Sequence, residues 1–295
     1  MHGELLTIVV TGASGRVGGL VAAELARRGI PFRAVTRSPD RLDDLGGAEV
    51  AVAGYAEPST LLAALAPGDR VFMVSMHEPP DRRLVLHRAF VDAAIERRIA
   101  RIVYLSFVGA GPDAAFVHAR SHGATEAMLA DSGILYTAVR NGMYADEIAS
   151  WFDRDGTITG PGGLGRVSLT YRPELAEAIT VLLAEPTHDA RRVVTITGPE
   201  SFTLEELAAA ASEVTGDAYR YEPRDREEWV AYRRRAGRPE WSIEAGSSYY
   251  EGVRRGEADV VTGDYRLLTG TAPLSIREII ALHRVEMPLS RQGNG

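Results

Sequence analysis

Short apolar runs alternate with helical patterns along the first half of the chain. Six runs rich in β-branched residues have the length of buried strands. Between them, apolar residues recur at three- and four-residue spacings, as in helices that pack on one face. The predicted strands cover residues 8–11, 31–36, 49–53, 70–74, 101–106 and 134–140. This alternation between residues 5 and 140 predicts an α/β fold with a doubly wound parallel sheet.

The chain after residue 140 has a less regular pattern. The sequence predicts a glycine-rich turn over residues 156–165 and a strand over residues 193–197. Thr203 and Glu206 have the spacing of a capping box, which predicts that a helix follows. We therefore predict a dinucleotide-binding domain of residues 1–140 and a smaller C-terminal α/β substrate lobe of residues 141–295, and we leave open whether the two exchange a strand.

Three glycines, Gly12, Gly15 and Gly18, lie between the first predicted strand and the first predicted helix. The first permits a tight turn, the second lets backbone approach a pyrophosphate, and the third lets the helix pack closely on the strand. The helix then begins with unpaired N–H groups and a positive dipole end. A turn without a ligand is the alternative, but the strand before and the helix after favour a Rossmann-type dinucleotide site.

The end of the second strand indicates which dinucleotide is bound. In enzymes that prefer NAD, an acidic residue here binds the ribose 2′-hydroxyl. This chain has Thr36 and Arg37 at that place, and no acid until Asp40. An arginine pairs with a 2′-phosphate, whereas an acid would repel it. We therefore predict NADP(H) over NAD(H), with Arg16 and Arg41 as further candidates; the alternative is that Arg37 is a solvated loop residue.

Composition narrows the choice of chemistry. The chain has 295 residues, and its net charge of −7 argues against a nucleic-acid surface. It contains no cysteine, which excludes a disulfide and a thiol nucleophile. It also has no lysine, which excludes a Schiff base and the Tyr-x-x-x-Lys pair of many short-chain dehydrogenases. We see neither a signal peptide nor an apolar run of the ~20 residues that a membrane helix needs. We therefore expect a cytoplasmic protein that does not bind membranes.

Further candidate residues lie where ligands bind in open α/β sheets, at the carboxyl ends of predicted strands. Ser75 and Ser106 end two strands, and His77 is a candidate substrate contact or a surface loop histidine. His118 and His122 are four residues apart and share one helix face. They lack the intervening glutamate and the third ligand of a zinc site, so no metal is predicted.

Several segments resemble the NmrA-like, atypical short-chain dehydrogenase/reductase family, and within it the branch of NADPH:quinone oxidoreductase type 2. They are residues 11–18, 104–106, 125–126, 130–137 and 140–144, followed by 175–178, 202–204, 262–264 and 268–270. The resemblance spans nearly the whole chain. It implies cofactor contacts from Gly12, Ser14, Gly15, Arg16, Val17, Arg37, Ser75 and Ser106, with Asn141, Gly142 and Met143 near the nicotinamide.

The chain also departs from this family. Classical members carry tyrosine and lysine where this chain has His118 and His122, although the quinone reductase branch also has histidine at the second position. The candidate proton donors are His118, His122, Tyr144 and Ser106. Among them we expect His122 to orient the nicotinamide ribose and His118 or Tyr144 to face the substrate; the alternative is that both histidines lie on the helix surface. Residues 54–55 also differ from the family, which leaves adenine recognition open. Residues 171–172 differ as well, which leaves a contact between the domains open.

We predict an NADP(H)-dependent oxidoreductase that transfers a hydride to a quinone, enone or related carbonyl. A quinone is a good hydride acceptor and needs little acid catalysis, so the loss of the tyrosine–lysine pair does not exclude reduction. Two alternatives share the fold: a redox sensor or transcriptional regulator without turnover, and a biosynthetic enzyme that uses the site for other chemistry. The predicted partner is a small-molecule substrate, and a homodimer is left open.

Overall fold

Strands and helices alternate along the first half of the chain in a computed structural model that describes residues 7–185 and 193–289. Residues 5 and 6, where the predicted alternation begins, lie outside the described residues. The elements of this half are β1 (Ile8–Thr11), α1 (Arg16–Arg27), β2 (Phe32–Thr36), β3 (Glu49–Val52), α2 (Pro58–Ala64), β4 (Arg70–Met73), α3 (Pro80–Glu96), β5 (Arg101–Phe107), α4 (Val117–Asp131) and β6 (Leu135–Asn141).

The second half has shorter strands and more helices. Its elements are β7 (Met143–Tyr144), β8 (Thr157–Gly160), β9 (Arg166–Thr170), α5 (Arg172–Ala184), β10 (Val193–Ile196), β11 (Ser201–Thr203), α6 (Leu204–Thr215), β12 (Arg220–Pro223), α7 (Arg226–Arg235), α8 (Glu240–Arg254), α9 (Asp264–Thr269) and α10 (Ile276–Leu282). Helix α6 begins with the capping box, in which Thr203 and Glu206 satisfy each other's backbone N–H groups.

Seven parallel strands form the central sheet in the order β10-β6-β5-β4-β1-β2-β3. The order reverses between β1 and β4, which is the place where doubly wound sheets bind ligands. The predicted Rossmann-type fold is confirmed. The division into two domains at residue 140 stays a prediction. Strand β10 pairs with β6 and helix α5 packs against α1, so parts of the later half of the chain belong to this sheet.

Helices cover both faces of the central sheet, which explains why its strands are apolar on both sides. One face packs against α1 and α5 through a core that includes Val10, Leu25 and Leu175. The other packs against α2, α3 and α4 through residues such as Phe90 and Leu129. Each such side chain contributes roughly 1.5–3 kcal/mol when it is fully buried.

A separate hydrophobic cluster lies beneath two small sheets, β11-β9-β7 and β12-β8. The chain enters this lobe directly from the central sheet, because only Gly142 separates β6 from β7. The N–H of Gly142 donates to Thr170 Oγ1 at 2.9 Å, and a Cβ on Gly142 would lie 2.6 Å from the carbonyl oxygen of Ser168. This close crossing brings the lobe beside the carboxyl ends of β5 and β6.

Across the described ranges, none of the helices combines the length and apolar character needed to span a bilayer.

Candidate active site

The loop between β1 and α1 has room for backbone but little for side chains. Gly12 has a φ of +63°, and a Cβ there would lie 2.6 Å from Cγ1 of Val74. A Cβ on Gly18 would lie 2.2 Å from the carbonyl oxygen of Gly12, and one on Gly15 would lie 3.0 Å from the same atom. The glycines therefore let α1 begin directly against the turn, as a pyrophosphate site requires.

Helix α1 begins without a side-chain cap. Gly15 is the N-cap residue and supplies no hydrogen bond to the first turn, so the N–H groups at the helix start remain available. This end of the helix suits an anion such as a diphosphate. Val17 lies in the core at 6% exposure, whereas the Arg16 side chain is 76% exposed and forms an ion pair with Glu147.

The end of β2 lies beside this loop. Ser14 Oγ and Thr36 Oγ1 are 2.6 Å apart, which ties the glycine loop to the strand. Arg37 is exposed, and a Cβ on Gly54 would lie 2.9 Å from its Cδ, so the glycine makes room for the arginine. Among residues 7–185 and 193–289, no carboxylate lies within 4 Å of the Arg37 guanidinium. The guanidinium is available to a phosphate.

The residue after Gly54 faces the protein interior. The Tyr55 hydroxyl lies 2.7 Å from Thr11 Oγ1 and donates to the carbonyl oxygen of Val74 at 3.1 Å. Its ring packs on Phe90 with 4.9 Å between the centroids. Tyr55 therefore links β1 to the end of β4, and its side chain is not directed toward a ligand.

Ser106 does not have a free hydroxyl. It is 1% exposed and donates to Glu126 Oε1 at 2.5 Å, and Glu126 also accepts two hydrogen bonds from Arg140. Because its proton is already committed to a carboxylate, this arrangement does not favour Ser106 as a proton donor, and that role stays a prediction. Through Glu126, Ser106 helps to hold Arg140 at the carboxyl ends of β5 and β6.

Two other predicted cofactor residues have buried polar atoms. Ser75 Oγ and Asn141 Oδ1 are shut off from solvent and lie close to the hydroxyls of Tyr104 and Tyr144, but neither makes a hydrogen bond of full geometry within the described part of the chain. The amide nitrogen of Asn141 donates to the carbonyl oxygen of Gly142 at 2.6 Å. Met143 pairs with Leu169 in β9. Because buried polar atoms normally have partners, the first two atoms are suited to a bound cofactor amide or ribose.

His122 is held inside the protein. Its Nδ1 lies 2.8 Å from the Tyr104 hydroxyl, and its ring is stacked on Phe107 with 6.1 Å between the centroids. Burial lowers the pKa of His122 well below its ordinary value, and the nearby Arg83 cation lowers it further. The imidazole is therefore neutral at pH 7, and the alternative of a helix-surface histidine is wrong.

His118 is also neutral and has few polar partners. It is 8% exposed, and its Nδ1 has no hydrogen-bond partner among the described residues. Burial, with a smaller effect from Arg83, lowers its pKa to about 3. A neutral imidazole donates a hydrogen bond rather than a proton at pH 7, so this pKa disfavours His118 as a proton donor, and that role stays a prediction. It too is not a surface histidine.

Aromatic rings cluster around His118, and we call the region between them and the carboxyl ends of the central strands the cleft. Trp241, from α8, lies 5.4 Å from the exposed His77 ring and 6.4 Å from the His118 ring, measured between centroids. Phe116 contacts His118 at 5.3 Å and Tyr249 at 5.4 Å. The structure thus brings His77 and His118 around one tryptophan. Sequence reasoning missed Trp241 and Tyr249, because no periodic pattern marks α8 as part of the site, and it also missed Phe116, which immediately precedes α4.

Tyr144 lies where the lobe meets the central sheet. Burial raises its pKa to about 12, so the hydroxyl stays protonated and is a weak acid. The Arg172 guanidinium lies 5.2 Å from the centre of its ring and also binds Asp146 at 2.5 Å. Arg172 thus joins the start of α5 to the segment after β7, and the contact between the domains that residues 171–172 left open stays a prediction.

The described part of the chain contains no group of three or more His, Asp or Glu side chains that could hold a metal ion.

The glycine loop at the switch point, with a free helix start beside it, defines an NAD(P)H-binding protein. Residues 12–186 match a family described as NAD(P)H-binding. Quinone oxidoreductase 2 of Escherichia coli is 29% identical over 241 residues, which are 79% of this chain and 83% of that protein. An NmrA-like family domain-containing oxidoreductase of Aspergillus flavus is 27% identical and covers 94% of this chain and 95% of its own.

A solved structure supports the same relationship. Citrobacter sp. triphenylmethane reductase complexed with NADP(H) aligns with a TM-score of 0.83 and 28% identity, covering 94% of this chain and 99% of that chain. The chain belongs to the NAD(P)H-binding, NmrA-like family, and the resemblance predicted from its motifs is confirmed.

Proposed function

We propose that the protein is an NADPH-dependent reductase that transfers a hydride to a quinone or a related conjugated carbonyl. One observation supports the proposal: aromatic rings cluster around Trp241 and His118, where the nicotinamide would lie if the glycine loop binds the diphosphate. Planar conjugated acceptors fit such a cluster, because aromatic rings attract one another in offset and edge-on arrangements.

The residues of the chain fit this cofactor. The glycine loop and the free start of α1 would bind the diphosphate, and Ser75 and Asn141 would offer buried oxygens to the nicotinamide half of the cofactor. Arg37 supports NADPH over NADH, since its guanidinium has no carboxylate partner in the described ranges and pairs with a 2′-phosphate. NADPH, when bound, supplies the hydride. A cytoplasmic location is part of the proposal, because the reaction needs a supply of NADPH.

The side chains favour acceptors that need little acid catalysis. His118 and His122 are neutral, Tyr144 is a weak acid, and the Ser106 proton is bound to Glu126. A simple ketone would lack the proton donor that is worth roughly a hundredfold or more in rate. A quinone is reduced without one. The absence of an available acid among these four residues therefore supports quinones and enones over isolated ketones.

The test is NADPH consumption, followed at the nicotinamide absorbance, with a panel of quinones, enones and isolated ketones. We expect turnover with quinones, weaker turnover with enones and none with isolated ketones. Gly18→Ala, which disturbs the cofactor loop, serves as the control and should raise the KM for NADPH at least tenfold. Tight NADPH binding without consumption by any acceptor would overturn the proposal and favour a redox sensor.

A further inference from the structure

Arg83 is a buried cation without a carboxylate partner. It lies in the first turn of α3 and is 4% exposed. Its Nε donates to the carbonyl oxygen of Met76 at 2.8 Å and its Nη1 to Ser121 Oγ at 3.2 Å, so both acceptors are neutral. No carboxylate within the described ranges lies within 4 Å of it. Burying a guanidinium is costly unless an anion offsets its charge, so this arrangement calls for an explanation.

Other arginines around the cleft are paired. Arg140 binds Glu126 at 2.6 Å and Arg172 binds Asp146 at 2.5 Å. Arg101 is as buried as Arg83 and likewise has no ion pair, but it begins β5 and so lies at the opposite end of the sheet. Among these four, Arg83 alone brings an uncompensated positive charge to the ligand-binding end of the strands.

The groups that face Arg83 do not neutralise it. His87, one turn further along α3, accepts a hydrogen bond from the Met76 N–H and binds Thr125 through its other nitrogen. On α4, His118 and His122 stay neutral, and on β5 the Tyr104 hydroxyl stays protonated. Burial and the Arg83 charge both lower the pKa values of the three histidines. The charges of Arg140 and Glu126 also reach His122 and Tyr104, respectively, but Arg140 and Glu126 pair with each other, so Arg83 is left as the uncompensated charge of the cluster.

Ser121 connects this charge to the ring cluster. It lies between His118 and His122 on α4, accepts the hydrogen bond from Arg83, and donates to the carbonyl oxygen of His118 at 2.8 Å. Arg83 therefore has two effects on His118. Its positive charge acts on the imidazole, and its hydrogen bond to Ser121 fixes the helical turn that carries His118. These two roles can be separated by mutation.

We propose that Arg83 stabilises the anion that forms on the acceptor in this cleft, acting from behind His118 and Ser121 as an electrostatic positioning residue. The inference rests on the proposed function. A quinone that takes up a hydride gains two electrons and one proton and becomes a hydroquinone monoanion with its charge on oxygen. A proton from solvent then completes the hydroquinone. Arg83 keeps its own protons throughout, and a preorganised charge of this kind favours the charged product and its transition state.

The closing experiment uses 4-nitrophenol as the probe, with the protein free of cofactor so that no nicotinamide charge contributes. The absorbance of the phenolate reports the ionised fraction of bound probe at a pH equal to the solution pKa of the probe. We expect the wild type to bind the phenolate about tenfold more tightly than the phenol. Arg83→Met should abolish this preference, while Arg83→Lys and Ser121→Ala should keep most of it. Arg101→Met controls for the loss of an equally buried arginine.

Kinetics with NADPH and a quinone complete the test. We expect Arg83→Met to lower kcat about tenfold or more with little change in the KM for NADPH. A wild type that binds the phenolate no better than the phenol, or not at all at millimolar concentration, overturns the inference whether or not the variants fold. So does a folded Arg83→Met protein with unchanged kcat. Phenolate preference without any NADPH consumption would instead overturn the proposed function alone.

Discussion

The Tyr104 hydroxyl lies 2.8 Å from Nδ1 of His122, across the gap between the central sheet and helix α4. Both side chains are buried, so neither group exchanges this hydrogen bond for one to water. Tyr104 fixes one edge of the imidazole, and the stacked Phe107 ring fixes its plane. His122 is consequently a rigid neutral group at the cleft.

We predict that Tyr104 and His122 are coupled in their contributions to the free energy of unfolding. Removing one partner leaves a buried polar atom unpaired, so we expect Tyr104→Phe and His122→Phe each to lower the free energy of unfolding by about 1–3 kcal/mol. The double variant Tyr104→Phe/His122→Phe should lose less than the sum of the two, by about 1 kcal/mol. Urea unfolding measures all four proteins. Additive losses would mean that the hydrogen bond contributes nothing to stability.

We predict that the loss of His118 lowers kcat more with an enone than with a quinone. Because its neutral ring can offer a hydrogen bond to a developing oxyanion, we expect His118→Phe to lower kcat about tenfold with an enone and less than threefold with a quinone. The wild-type pH–rate profile should show no ionisation near pH 6.5, because the pKa of His118 is about 3 and the ring stays neutral above it. A His118-dependent inflection between pH 6 and 7 would contradict this assignment.

The fold was predictable because local patterns specify it. The strands of the first half are apolar runs between helical patterns, and the structure has strands at all six predicted places. Residues 12, 15 and 18 are glycine because the turn between β1 and α1 leaves no room for side chains. Both features depend on neighbours that are close in sequence.

The site was less predictable because its partners are distant in sequence. Ser106 is bound by Glu126, twenty residues away, and nothing in the local sequence shows that this hydroxyl is occupied. Trp241 reaches His118 from α8, a helix whose polar composition hides its role. In the sequence, Arg83 is one of several charged residues in an amphipathic helix. Only the packing of α3 against α4 shows that its side chain is buried.

Arg37 predicts cofactor preference. Its guanidinium is exposed at the end of β2, and a hydrogen bond between charged groups contributes about 1.5–3 kcal/mol. Arg37→Asp should therefore weaken NADPH binding roughly tenfold to a hundredfold or more and change NADH binding by less than threefold. Isothermal calorimetry with both dinucleotides measures the two affinities. Arg88→Ala, on the exposed side of α3, is the control, and equal losses for both dinucleotides would refute the preference.

The glycine loop offers a matched pair of substitutions. Gly18→Ala places a Cβ 2.2 Å from the carbonyl oxygen of Gly12, so the loop or helix must move, at a cost of about 1–3 kcal/mol. We expect NADPH affinity to fall at least tenfold as well. Gly19→Ala places its Cβ 3.3 Å from the carbonyl oxygen of Ala13, so only a shift of a few tenths of an ångström is needed, and helix propensity offsets its cost by up to about 1 kcal/mol; it should bind NADPH like the wild type. Equal behaviour of the two variants in calorimetry and urea unfolding would contradict the close-packing argument.

Glu174 predicts a pH dependence of stability away from the cleft. Its carboxyl is 8% exposed and accepts the Leu274 N–H at 2.6 Å, and burial raises its pKa to about 7. Because the folded-state pKa lies above that of the unfolded chain, the stabilising effect is complete below about pH 4.5 and is lost as the pH rises through 7. Glu174→Gln keeps an acceptor for Leu274 but cannot ionise. Relative to the wild type it should therefore gain stability between pH 6 and 8, by about 1 kcal/mol after allowance for solvent screening. The exposed Glu205→Gln is the control, and parallel pH curves for Glu174→Gln and wild type in urea unfolding would show that the carboxyl is ionised throughout.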